Sequence, residues 1–445
     1  MPLSEKQLRQ AMQKVLAAAA KRAPKAEVFV GLESSRRAHV RFSRNGVTTS
    51  GEIDEAGLTV SIQLGRQAAT SSSNQTDDAS IAALVERTAR LAQLAPEDPE
   101  LMPVLGAQPV ARNPLAFDPK VDGLDAKARA ALVHQALAPG RSLGLSTAGF
   151  LFQWSGLVGK ASSRGLSRVH PATGLQLTVT ARTPSGTGSG RGQFYGRRLQ
   201  GLDAAAVATT ACETARRSEN PRRLKPGRYT VVLEPAATAV LAESLWSAMD
   251  QRAADEGRSF FSRGEGQSRV DESLLSPLVT LRSDPTSPRT PMLPFDAEGR
   301  ALGPQPWITA GRIDALSTSR FWAEKTHRQP VGGHGGFELA AGATPRAKLL
   351  EGVRRGVLIS RVWYTNWVDG PTLLLTGLTR DGTFLIEDGQ VVGPVNNFRF
   401  NQSVADAFTR CDALSVEREA ANDAETVTPA MRTHEFLLAS VSEAI

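Results

Sequence analysis

The feature that most constrains this chain is a run near its C-terminus, residues 361–401, in which short apolar stretches alternate with turn dipeptides. Leu373 to Leu378 and Phe384 to Ile386 are strand-length apolar segments. Asp381-Gly382 between them predicts a hairpin turn, because glycine accepts the positive φ that tight hairpins need. Asp388-Gly389 repeats the device. The run therefore predicts a β meander, with Trp363, Tyr364, Trp367, Phe384, Phe398 and Phe400 in a core or on a sheet face.

The chain has 445 residues, enough for two or three domains and a sizeable core. Its 41% hydrophobic and 22% charged residues are those of a soluble globular protein. No apolar run reaches the roughly 18 residues of a membrane span, and the N-terminus runs straight into an amphipathic helix instead of a signal peptide. A cytoplasmic location is expected. Two cysteines, Cys212 and Cys411, are too few and too far apart for a disulfide scaffold or a Cys-pair zinc site. The net charge of +7 raises the question of an anionic partner. The basic residues are scattered pairs such as Arg36-Arg37 and Arg222-Arg223, without a long tract, so neither nucleic acid nor membrane is the expected partner.

Read in order, residues 4–22 form a helix with Leu8, Met12, Val15 and Leu16 on one stripe. Strands follow at 26–32, 38–44, 47–53 and 58–64, ending at a polar run, and Asp77 or Asp78 caps a helix carrying Ile81, Leu84 and Val85. Residues 94–119 read as a linker. The same order then recurs: a helix at 124–138, a strand at 149–158, Ser163-Arg164-Gly165 where Arg44-Asn45-Gly46 stood, and a helix with Leu202, Val207 and Ala211. Ser185 to Gly192 is glycine-rich, but without Gly-Lys-Ser/Thr it reads as a flexible loop and not a phosphate cradle. Next come a strand ending at Leu233, a helix at 236–250, a proline-dense loop from Asp284 to Gly299, strands over 307–401 and a helix at 404–414. The expected class is α+β. An N-terminal α/β region, 1–220, with duplicated units 1–105 and 120–220, precedes a β-rich domain, 221–445, that is barrel-like or a meander.

The wording of several blocks resembles the TldD/PmbA family, the modulator of DNA gyrase family. These blocks are Trp363-Tyr-x-x-x-Val-Asp369, Thr372 to Gly389, Pro394-Val-x-Asn-Phe-Arg-Phe-Asn401, Phe295-Asp-Ala-Glu-Gly299 and Pro226-Gly-Arg-Tyr-Thr-Val-Val-Leu233. The resemblance implies two kinds of cytoplasmic subunit, one of which carries His-Glu-x-x-x-His on the helix after the last of these strands, with a later cysteine completing a zinc site. Two imidazoles, a third soft ligand and a glutamate beside the metal-bound water are what such hydrolysis needs. Here that helix, Ala237 to Met249, holds no histidine. In one register Glu243 takes the place of the general base, with no metal-bound water to act on. The six histidines, His39, His134, His170, His327, His334 and His434, lie elsewhere and far apart. His434-Glu435 has Leu and Ala where a second histidine would stand, so His434 reads as a plain helix residue.

The resemblance thus implies the PmbA or TldE type of subunit, without catalytic or metal residues of its own. Its expected partner is a TldD-like subunit that supplies the zinc, and its expected substrates are unfolded or extended peptides in maturation and proteolysis. His334, in a glycine-rich loop read as mobile, and Asn397, Arg399 and Asn401 are the candidate substrate-binding or interface residues. An enzyme with an unrecognised site and a DNA- or gyrase-associated binder remain as alternatives.

Overall fold

The computed structural model describes residues 2–109, 111–421 and 425–442. In the N-terminal half, α1 (Glu5–Arg22) leads into β1 (Glu27–Ser43), β2 (Gly46–Leu64), β3 (Gln67–Ser73) and α2 (Asp78–Leu94). After a short helix α3 (Pro119–Asp122), the order repeats as α4 (Ala126–Ser142), β4 (Ser146–Ser162), β5 (Ser167–Arg182), β6 (Ser189–Gly196) and α5 (Ala204–Arg217). The six strands form one antiparallel sheet, β3-β2-β1-β4-β5-β6, in which the first strands of the two units lie side by side. Strand alternation puts Val28, Val30, Leu32, Val60 and Ile62 against α1 and α2, and Leu175, Leu177 and Val179 against α4 and α5. All four helices therefore cover one face.

Three sequence expectations change here. The four short strands of the first unit are two long ones, because the polar stretch between them is a cross-strand ion-pair ladder: Arg36 meets Asp54 at 2.9 Å and Arg37 meets Glu55 at 2.7 Å. Their hairpin is the Arg44-Asn45 turn, with φ of 49° and 59°. The polar segment 67–73 is a third strand and not an end to pairing.

The glycine-rich Ser185–Gly192 segment is also not a loop throughout, since β6 begins at Ser189. Gly188, Gly190 and Gly192 face α5, where a Cβ would lie 2.3, 2.2 and 1.9 Å from the carbonyl oxygens of Ala215, Ala211 and Val207. Two residues of strand advance about 6.6 Å and four of helix about 6 Å. A glycine at every second strand position thus matches a carbonyl at every fourth helix position, and the helix sits directly on the strand.

The C-terminal half contains β7 (Gly227–Leu233), α6 (Pro235–Ser247), α7 (Gln251–Asp255), the small hairpin β8 (Ser262–Gly264) and β9 (Gln267–Ser268), then β10 (Leu281–Ser283), β11 (Gln305–Thr309), β12 (Arg312–Ile313), α8 (Arg320–Lys325) and β13 (Phe337–Leu339). It ends with β14 (Arg355–Asp369), β15 (Leu374–Glu387), β16 (Gln390–Pro394), β17 (Asn397–Ser403), α9 (Val404–Thr409), β18 (Cys411–Ala421) and β19 (Thr426–Ser442). Because β7 pairs with both β14 and β19, the strands β19-β17-β15-β14-β7 close on themselves. Leu241 and Leu245 of α6 join Phe398, Phe400, Phe408, Phe436 and Leu438 in the largest apolar core. The C-terminal helix stops at Thr409, where β18 begins, and His434 lies on a strand, not a helix.

Of the two Asp-Gly pairs, only Asp388-Gly389 is a hairpin turn, with φ of 47° and 78°. Asp381 and Gly382, at φ of 55° and 121°, lie inside the continuous β15, where the register against β14 shifts between Ile359 and Arg361. They form a β-bulge, which kinks the strand and re-aims a side chain. Phe384, Phe398 and Phe400 are buried as expected, whereas Trp363, Tyr364 and Trp367 are exposed by 43%, 64% and 43%. Arg197 to Glu425 at 2.8 Å and Arg252 to Glu100 at 2.7 Å clamp the two halves together. No helix among the described residues is long and apolar enough to cross a membrane.

Candidate functional site

A cleft of about 500 Å³ opens between α5 and β6 of the first half and the start of α6 with β14 and β15 of the second. The β15 bulge builds its floor. The bulge turns the Asp381 carboxylate toward Arg361 of β14, at 2.8 Å, and toward the Ser189 hydroxyl, which donates to it at 2.6 Å. Asp381 is 3% exposed, so this pairing crosses between the two halves in a buried setting. Burial and, after it, repulsion from the neighbouring Arg191 hold the Arg361 guanidinium below its ordinary range, and Asp381 opposes that shift.

The opposite wall is Glu234, the N-cap of α6. Arg346 bridges Glu234 and Glu419. Burial pushes the Glu234 carboxyl up, and Arg346 opposes that shift. Arg217 stacks over the Phe384 ring at 5.0 Å. The cleft therefore offers guanidinium and carboxylate groups held in fixed geometry at the junction of the halves. Such groups can bind polar or zwitterionic chains by charge-assisted hydrogen bonds.

Beyond the first turn, α6 turns apolar. Trp246 packs on Trp307 with ring centroids 6.2 Å apart and on Phe337 at 5.3 Å, and His334 stands edge-on to Trp307 at 5.7 Å. The zinc that the family resemblance implies finds no fit in this chain. Helix α6 offers no imidazole, Glu243 is half-buried on it, and among the described residues no three His, Cys, Asp or Glu side chains converge as a metal centre needs. Cys411 is buried, its thiol pushed up to about 12 by burial and, to a lesser degree, by Asp412. His434 is held by Thr230 at 2.9 Å and by Asp412 at 3.0 Å.

The structure places the four candidate residues in two separate locations. His334 is 6% exposed, with Nδ1 at 3.1 Å from the Gly332 carbonyl and Nε2 at 2.8 Å from that of Gly303. It is therefore wedged into the loop, not presented by it. Asn397, Arg399 and Asn401 share the outward face of β17, since Phe398 and Phe400 between them point into the core. Asn397 accepts from Thr383 at 2.7 Å and Thr379 at 3.2 Å, and it lines a small groove that shares Asp381 with the cleft. Arg399 reaches Thr376 at 3.4 Å, directly beside Asn401 in the pairing register. Asn396 serves the backbone, accepting from the Leu224 amide at 2.7 Å.

Sequence reasoning missed Arg361, Asp381, Ser189, Glu234 and Arg346. The one available signal was an Asp-Gly pair set between two strand-length segments, a pattern that suits a bulge as well as a hairpin.

Two family models match the chain: the PmbA/TldA metallopeptidase domain 1 over residues 26–92, and the PmbA/TldA metallopeptidase C-terminal domain over residues 226–440. The chain belongs to the PmbA/TldD family. The cleft of this family member lies between the matched C-terminal region and residues 191–217, a segment outside both matches. Its fold is similar to that of TldE from Thermococcus kodakarensis, with 16% identity, a TM-score of 0.84, and coverage of 96% of this chain and 100% of that one. It is also similar to proteins described as modulators of DNA gyrase from Bacteroides thetaiotaomicron (18% identity, TM-score 0.84, coverage 97% and 99%) and Thermotoga maritima (15%, 0.83, 96% and 99%). At these identities the likeness establishes the fold. Comparison with curated protein sequences returns no match.

Proposed function

We propose that this chain is the zinc-free, non-catalytic subunit of a TldD/TldE-type metallopeptidase, acting in the cytoplasm on unfolded or extended peptides in maturation and proteolysis. The zinc belongs to its TldD-like partner, and this chain supplies a wall of the substrate chamber. Helix α6 carries the reading. It follows β7 where the family's zinc helix follows its strand, yet it presents Trp246 to an aromatic cluster and holds no imidazole. The fold likeness to TldE agrees with this reading. The outward face of β17, with Asn397, Arg399 and Asn401, is its proposed contribution to peptide or partner contact.

The test is reconstitution. The purified chain is expected to hold no stoichiometric zinc by elemental analysis and to leave peptides uncut. Mixed with a TldD-like partner it is expected to yield zinc-dependent cleavage. Glu243→Ala should leave that cleavage within a few fold, since a general base contributes roughly 10²- to 10⁴-fold. Tight zinc in the chain alone, or loss of cleavage on that scale in an assembled complex, would overturn the proposal.

A further inference from the structure

Two buried side chains of β5 take no part in the cleft. Arg168 and His170 are alternate residues of one strand, so both project from the sheet face turned away from the helices. They are only 8% and 6% exposed. Nε and Nη2 of Arg168 and Nδ1 of His170 are buried without a hydrogen-bond partner. The connector between α2 and α3 crosses this end of the sheet: Gly106 bridges to Gly165, and the Ser162 hydroxyl donates to the Leu105 carbonyl at 2.5 Å.

The surroundings add positive charge, and among the described residues no carboxylate pairs with either side chain. Lys160 is directly opposite Arg168 on β4, and its ammonium lies 6.0 Å from the Phe29 ring centroid. Arg112 of the connector, second to burial itself, disfavours protonation of His170. Nearby, Glu27 is engaged by the Val104 amide at 2.7 Å and by Arg164 at 3.8 Å, while Glu33, across β4 from His170, is exposed. A buried guanidinium loses its hydration and gains nothing back unless an acceptor meets it. Native proteins leave few such donors unpaired, and three on adjacent side chains call for one group that accepts several hydrogen bonds.

We propose that Arg168 and His170 hold a small oxyanion of the phosphate, sulfate or carboxylate class on the face of β5 turned away from the helices. At 8% and 6% exposure the two side chains favour a small free ion over a polymer. Arginine supplies two donors in its planar fork, and the imidazole adds a third in the tautomer that carries its proton on Nδ1, a set that suits an oxyanion and not chloride. The ion neutralises the local charge. This site is independent of the peptidase reading.

The experiment is thermal unfolding of the full chain, purified in chloride buffer, with phosphate, sulfate or acetate added at constant ionic strength. A rise of about 3 °C, growing with the logarithm of the anion concentration, is expected at about one hundred times the dissociation constant. The anion giving the rise at the lowest concentration identifies the class. Arg168→Met should abolish the rise. Should that variant not fold, crystals of the unaltered protein grown in selenate should show an anomalous peak beside Arg168 and His170. Equal responses of both proteins, no response in either, or only water at that position would overturn the proposal.

Discussion

Asp381 shows how much one residue decides in this molecule. Its φ of 55° lies in the left-handed region, which Asp and Asn tolerate better than most residues, and that conformation aims its carboxylate into the cleft. Asp381→Asn preserves both the shape and the backbone preference while removing the charge opposite Arg361. A buried pair broken on one side leaves an uncompensated ion, so a loss of about 3 kcal/mol in unfolding free energy is expected from chemical denaturation. Adding Arg361→Met removes the stranded charge, and the double variant should recover more than half of that loss. A double variant as weak as the sum of the singles would show that the pair is not coupled. His334 teaches the converse lesson. Its flanking glycines suggested mobility, yet the ring is held between the carbonyls of Gly332 in its own loop and of Gly303, 31 residues away.

At the scale of elements, the contact between β6 and α5 rests on missing side chains. Gly192→Ala would put a methyl 1.9 Å from the Val207 carbonyl oxygen, backbone that cannot rotate away. An overpacking loss of about 3 kcal/mol is expected, with α5 displaced and the adjoining cleft disturbed. Gly57→Ala, at a position of β2 where an added Cβ meets nothing within 4 Å, should be neutral or slightly stabilising in the same melt. Helices were legible in the sequence because caps and stripes are local: Asp77 caps α2 and Leu8, Met12 and Val15 of α1 are buried, as the pattern indicated. Strand limits were less legible. Whether Glu33 to Arg37 continues a strand depends on acids some twenty residues away in the sequence, across the hairpin.

For the whole molecule, closure of the C-terminal strands around one core makes that half cooperative. Cys411 sits in this core at 4% exposure, so its thiol should react with an alkylating reagent at pH 8 only after global unfolding. The folded thiol is pushed up to about 12 from an ordinary 9.0. The folded state thus holds this proton more tightly than the unfolded state does. The associated stability is full below pH 9 and is lost as pH rises from 9 toward 12. Cys411→Ala should flatten the part of the stability profile in that window that belongs to the thiol. Rapid labelling of native protein at pH 8 would contradict this account of the core.

By itself the sequence determined the α+β class, the family, the register of core residues along α1 and α2, and the missing histidines of α6. These depend on residue identity and on spacings of a few positions, which backbone geometry converts directly into one face or another. Only the tertiary structure decided that one Asp-Gly pair is a turn and the other a bulge, because the deciding contacts, Arg361 and Ser189, come from other strands. The same holds for the glycine stripe under α5 and for the unpartnered cations of β5. Their environments are assembled by segments distant along the chain, and burial, which sets the energy of a charge, has no local signature.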